Sequence, residues 1–327
     1  MRRILYLLTS VTLAYLVLWG PLSPWRSSLR EPDLEYGRLR QITAEPQYAI
    51  ATFLTENTYQ KQVPEDYYFA ATRILTYQIL HDPSTKCARA EIPFLVLVTD
   101  DVSQQKRERL KRDGAQVVPV EDIPLNWWIR TGVTRWKDQF TKLRLLEMTQ
   151  YDRVLFIDAD TILTRPVDGI FEDMQTPSSS LLLDRPDQVR GDEQQPPAQY
   201  VFGARSDNAL VGERNHTVPP PPTEVFSAGF WMAAPSPELF DYLLSVMGHY
   251  RRFDPTTMEQ SLLNYAFRRD GTMPWQELDY RWSATWPSSK DLEGGVASLH
   301  EKLWMTGPDE LRGLWWSLKE RMEEFHG

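Results

Sequence analysis

Three apolar runs constrain this chain more than any other feature. "YAIATFLT" (48–55), "IPFLVLVTD" (92–100) and "RVLFI" (153–157) are continuous rather than alternating, and the segments between them have helical periodicity. A strand that is apolar at every position is buried on both faces, which happens when helices cover both sides of a parallel sheet. The connecting segments fit that arrangement. "DYYFAATRILTYQILHD" (66–82) repeats Phe69, Ile74, Tyr77 and Leu80 at helical spacing. "SQQKRERLKRDGAQVVPV" predicts a charged helix stopped at Gly114, followed by a third short strand. "FTKLRLLEMTQ" (140–150) predicts a helix that feeds directly into 153–157. The pattern is that of an α/β chain with a mostly parallel central sheet flanked by helices.

Further along, "VFSAGFWMAAP" (225–235) reads as buried structure. "SPELFDYLLSVMGHY" (236–250) reads as a helix capped by Ser236, and "TTMEQSLLNYAFRR" (256–269) as another. Residues 184–224 are rich in Pro, Gln, Asp and Arg, with "PPPP" at 219–222, and read as a long surface insertion. At the other end, Arg2 and Arg3 precede an uncharged, mostly apolar run from Ile4 to Leu22, about long enough to cross a bilayer as a helix. Arginines on the near side place the remainder in a lumen. The expected organisation is a cytoplasmic tip and signal-anchor helix at 1–22, a stem at 23–46 and one catalytic unit at 47–327. A cleaved signal peptide is the rival for the first segment. The sequon Asn215-His216-Thr217 is consistent with either secretory route.

Composition narrows the function. The net charge of −9 and the absence of a long basic run argue against a nucleic-acid partner. One cysteine, Cys87, excludes an intrachain disulfide, and its setting in a polar turn does not resemble a nucleophile's.

The chemistry concentrates where the run 153–157 ends in Asp158 and Asp160. In parallel sheets ligands bind beyond the carboxyl ends of strands. Two carboxylates aimed at one point there suit Mg²⁺ or Mn²⁺. A turn pair is the bland alternative. Two enzyme classes share the pattern. "DADTIL" fits the nucleophile motif of haloacid-dehalogenase-type phosphatases, but three strand-like segments precede it here. The only downstream "GD", in "RGDEQQ" (190–195), lies in the Pro/Gln-rich segment. The other class is the nucleotide-sugar glycosyltransferases.

Several motifs in order favour the second class. "FTKLRLLEMTQYDRVLFIDADTILTRPVDGIFE", "FSAGFWMAAPSPELFDYLL", "MEQSLLN" and "LHEKLW" resemble successive signatures of glycosyltransferase family 8, the glycogenin-like enzymes, over roughly 47–307. The compact domain, the stem-anchor and "HEKLW" look like its fungal N-acetylglucosaminyltransferase branch. The resemblance implies a GT-A type nucleotide-diphospho-sugar transferase fold and a Mn²⁺ site formed by Asp158, Asp160 and His300. It implies that Lys302 contacts the diphosphate and Lys142 lies near the sugar phosphate. Ala159 would contact the donor. Phe53, Thr55 and Tyr59 would hold uridine, with Tyr59 stacked on the base. Ser227, Ala228 and Gly229 would line the sugar pocket, with Gly229 admitting close backbone approach. Glu259 and Gln260 would face the anomeric carbon. For Glu259 a capping box with Thr256 competes.

The expected protein is therefore a retaining, Mn²⁺-dependent transferase that moves a sugar from a UDP-sugar, UDP-GlcNAc first, to a glycan or glycoprotein. It is expected as a single-pass type II Golgi membrane protein with a lumenal catalytic domain. A transferase-like domain that only binds glycans or nucleotides is the non-enzyme alternative.

Overall fold

The computed structural model describes residues 45–56, 65–130, 134–173, 180–181, 183–185, 188 and 190–327. The apolar run Ile4–Leu22, the stem up to residue 44 and Tyr59 lie outside the described residues. Among the described residues no helix is long and apolar enough to cross a membrane. Gln47–Gly327 forms a unit of its own.

The strands, in chain order, are β1 (Tyr48–Leu54), β2 (Phe94–Val98), β3 (Gln116–Pro119), β4 (Arg153–Ile157), β5 (Thr161–Leu163), β6 (Ser180–Leu181), β7 (Gln199–Tyr200), β8 (Phe202–Ser206), β9 (Phe226–Ala233), β10 (Gln276–Glu277), β11 (Ala284–Thr285) and β12 (Ser298–His300). A seven-stranded sheet has the order β10-β8-β9-β4-β1-β2-β3. β1 pairs in parallel with β2 and β4, β2 with β3, and β10 with β8. Only β9 runs against the rest of this sheet, pairing antiparallel with both β4 and β8.

The continuous apolar runs are explained by two cores. Alternate residues of one strand enter opposite sides: Ala51, Phe53, Leu97 and Phe156 face one, while Ile50, Leu54, Val96 and Leu155 face the other. Each fully buried Val, Leu, Ile or Phe side chain contributes about 1.5–3 kcal/mol. The second core is covered by α1 (Tyr67–Leu80) and α2 (Gln104–Arg112). Asp66 caps α1 by accepting from the Tyr68 and Phe69 amides, both at 3.2 Å. After α2 the chain reverses at Gly114, whose φ of +102° suits glycine. The first core is covered by α3 (Pro237–Gly248), α4 (Glu259–Ala266) and the segment Thr134–Glu147. That last segment is a 3₁₀ helix rather than the α-helix expected. The Ser236 cap on α3 is present, its Oγ accepting from the Leu239 amide at 3.1 Å. The C-terminal helix α5 (Asp309–His326) packs Leu311, Trp315 and Leu318 against Ala70, Ile74 and Tyr77 of α1.

The sequence expectation fails in the Pro-rich segment 184–224. It is not purely a surface insertion, because β8 lies within it, buried at all five positions and hydrogen-bonded on both sides. "FGARS" is a poor strand by propensity, with a glycine and an arginine in five residues. Tertiary contacts rescue it. Buried Arg205 pairs with Glu277 and donates to the carbonyls of Leu278 at 3.1 Å and Ser283 at 3.3 Å.

Candidate active site

Two pairings assemble the site. The reversal of β9 sets Phe230 opposite Ile157, the last residue of β4, and the Asp158 amide donates to the Gly229 carbonyl at 2.9 Å. In a three-stranded sheet of order β11-β12-β5, β12 is antiparallel to β5 and sets His300 opposite Thr161, the residue after Asp160. A histidine 140 positions from Asp160 is thereby brought to 3.1 Å from it, Nε2 to Oδ1. His300 Nε2 is 3.7 Å from Asp158 Oδ2, and Lys302 Nζ is 3.9 Å from Asp160 Oδ2.

Asp158, Asp160 and His300 each offer a ligand atom, all within 4.8 Å of one another. Two carboxylate oxygens and an imidazole nitrogen fit a hard-to-borderline divalent ion such as Mn²⁺. The electrostatics agree. Burial alone would lower the His300 pKa, but the carboxylates of Asp160 and Asp158 outweigh it and raise it. Burial opposes ionisation of Asp160, yet His300 and Lys302 hold that carboxyl well below its usual range.

These groups open onto a cleft of about 280 Å³ at the carboxyl ends of β1 and β4. Phe53, Thr55 and Ala159 line it, as do Glu259, Gln260 and Lys302. Sequence reasoning missed Tyr68, Gln139 and Met258, which also line it. Tyr68 gave no sequence signal, since it reads as an ordinary helix position, and Gln139 precedes the helix read over 140–150. Met258 adjoins "EQ" and carries a φ of +54°, a strained backbone for a non-glycine residue at the start of α4.

Two expected placements, those of Lys142 and of residues 227–229, differ in the structure. Lys142 does not line the cleft. Its fully buried ammonium sits behind Asp158, 2.9 Å from Asp158 Oδ1 and 2.9 Å from Glu259 Oε1. It also lies 4.6 Å from the centroid of the Phe156 ring. Burial would lower its pKa, but the two carboxylates raise it. Glu259 lines the cleft, and the competing capping box with Thr256 is not formed. Asp254 accepts from the Thr256 amide instead, and Glu259 turns inward to Lys142. Burial, reinforced by Asp158, raises the Glu259 carboxyl against the pull of Lys142, and its Oε2 is buried without a hydrogen-bond partner. Ser227, Ala228 and Gly229 do not line the cleft either. They lie behind it on β9, Ser227 Oγ accepting from the Gly229 amide at 3.3 Å. The Ala228 amide donates to Gln260 Oε1 at 3.0 Å. Gln260 Nε2 is 3.4 Å from Asp207 Oδ2.

Cys87 is remote from this chemistry. Burial and the nearby Asp168 push its thiol up to about 12.

No family model matches the sequence. The uncharacterized protein C4C3.09 of Schizosaccharomyces pombe is 31% identical over 264 residues, covering 73% of this chain and 68% of its own length. A second protein of that yeast, C5H10.12c, is 30% identical over 292 residues, covering 80% and 77%. Glycogenin of Neurospora crassa is 22% identical over 290 residues, covering 81% of this chain and 35% of glycogenin.

Proposed function

Because this chain belongs to the same family as C4C3.09 and C5H10.12c, with the glycosyltransferase glycogenin among its relatives, we propose that it moves a sugar from a UDP-sugar to a glycan or glycoprotein, with retention of anomeric configuration. The convergence of Asp158, Asp160 and His300 at the ligand-binding end of the sheet carries this reading. These residues would hold Mn²⁺. When bound, the ion supplies Lewis-acid neutralisation of the diphosphate leaving group.

The other roles follow from placement. Lys302, beside Asp160 and open to the cleft, adds a point charge for the departing phosphate. Lys142 and Glu259 orient Asp158 from behind. Phe53 and Thr55 bound the nucleoside side, joined by Tyr59 in the resemblance. Gln260 faces the reacting carbon with its Oε1 already engaged by the Ala228 amide. Attack by the acceptor on the face that the phosphate leaves needs no change in that bond. Double displacement by Gln260 is equally open, since an amide oxygen that accepts one hydrogen bond keeps a second lone pair free.

UDP-GlcNAc is the first donor to test, with UDP-glucose, UDP-galactose and UDP-glucuronate next. A type II Golgi protein anchored by Ile4–Leu22 completes the proposal. An exposed Asn215 in the sequon supports a lumenal location. A phosphohydrolase is not favoured, given the glycosyltransferase relative.

The test is UDP release from a donor panel with Mn²⁺. One donor should be turned over, and Asp158→Ala should abolish turnover. If no donor is hydrolysed or transferred and Asp158→Ala leaves UDP binding unchanged, the proposal fails.

A further inference from the structure

Arg214 lies between β8 and β9, outside the cleft, yet it contacts Glu301, the residue after His300, and the Trp286–Pro287 turn that bonds to His300. Its guanidinium forks onto Glu301, with Nη1 to Oε2 at 2.5 Å and Nη2 to Oε1 at 2.9 Å. Nη1 also donates to the Pro287 carbonyl at 2.8 Å, and the guanidinium lies 4.8 Å from the centroid of the Trp286 ring. Glu301 stands between His300 and Lys302, and its amide donates to the Asp160 carbonyl at 3.1 Å. The Trp286 amide donates to the His300 carbonyl at 3.2 Å, from a backbone held at a φ of +54°. A bulky residue keeps such a φ only where its surroundings over-determine it. The Glu301 side chain is 10% exposed, so without the guanidinium a largely desolvated carboxylate would stand unpaired one residue from both His300 and Lys302.

We infer that Arg214 is a positioning residue of the site. By clamping Glu301 and the Trp286–Pro287 turn together, it fixes the end of β12 so that His300 and Lys302 meet Asp160. This rests on the donor-binding reading above. It gives the Pro-rich segment a task, which is to brace the metal end of the cleft from outside.

The experiment is calorimetric titration of the full chain with Mn²⁺ in the presence of UDP, beside metal-free thermal unfolding. Loss of an outer partner of a metal ligand lowers affinity about 10–100-fold. Arg214→Met should therefore weaken Mn²⁺ binding about tenfold or more, and the metal-free unfolding curve separates that loss from the stability lost with the ion pair. Arg214→Lys should fall between Met and wild type, because an ammonium cannot make the planar two-bond fork. Glu301→Gln should weaken binding to a similar degree, and the double variant should be no worse than the weaker single one. Affinities within about twofold of wild type in both Arg214→Met and Glu301→Gln overturn the inference. If Arg214→Met does not fold, unchanged affinity in Glu301→Gln alone overturns it. A wild type that binds no Mn²⁺ with UDP overturns the proposed function and this inference together. A wild type that binds while the variants bind equally overturns only the inference.

Discussion

Gly229 and His300 occupy one space. A Cβ on Gly229 would stand 2.2 Å from His300 Cε1, 2.5 Å from Nδ1 and 2.9 Å from Nε2. The glycine admits the imidazole to the flank of β9, where Nε2 reaches Asp160.

Gly229→Ala is therefore expected to fold but to turn the imidazole away from Asp160 and Asp158. Mn²⁺ affinity should fall about tenfold or more, the scale seen when a metal ligand loses its orienting support. Equilibrium titration beside circular dichroism checks this. Wild-type affinity in a folded Gly229→Ala would show that the ring does not need this space.

Removing the buried cation should damage stability before catalysis is considered. Lys142→Met leaves Asp158 and Glu259 without their shared partner. Breaking a buried pair by deleting one side costs about 3–5 kcal/mol, which denaturant unfolding measures directly. Lys142→Met with Glu259→Gln should recover part of that loss, because one stranded charge is removed with the other.

Metal binding should follow pH through His300. The folded pKa is raised, so the imidazolium–carboxylate contact stabilises the metal-free fold below the free-imidazole value of about 6.5. That contribution is lost as pH rises through the raised folded value. A bound ion needs the neutral ring. Mn²⁺ affinity should therefore start to fall on acidification at a pH above about 6.5, and His300→Asn should remove that part of the slope. Titrations at stepped pH read both.

The thiol of Cys87, pushed up to about 12 by burial and Asp168, should react slowly with a thiol-specific reagent in the folded chain and quickly after denaturation. Cys87→Ser should retain transfer activity. Fast native labelling coupled to loss of UDP release would contradict its place outside the site.

What could be read in the sequence depended on whether a residue's role was local. β1, β2 and β4 were legible because burial on both faces leaves a continuous apolar run, and Asp158 and Asp160 stood out because acids end such a run. The expected triad with His300 rested on motif resemblance, and the antiparallel pairing of β5 and β12 supplies its physical cause. Glu259 was ambiguous because its partner, Lys142, is 117 residues away, and only the tertiary fold chooses the ammonium over a cap. Gly229 was noticed as a point of close approach, but sequence could not say that the approaching group is His300 rather than a sugar. β8 was missed because Phe202–Ser206 becomes a strand through its neighbours and not through its composition.

β8 has a practical consequence for anyone shortening this protein. The Pro-rich stretch around it looks like dispensable trim, the kind removed to aid crystallisation or expression. Excising it would take an interior strand from the sheet, detach β10 from its only sheet neighbour and leave Glu277 without Arg205. Any shortening has to keep Phe202–Ser206 and, beyond it, Arg214 with its hold on Glu301.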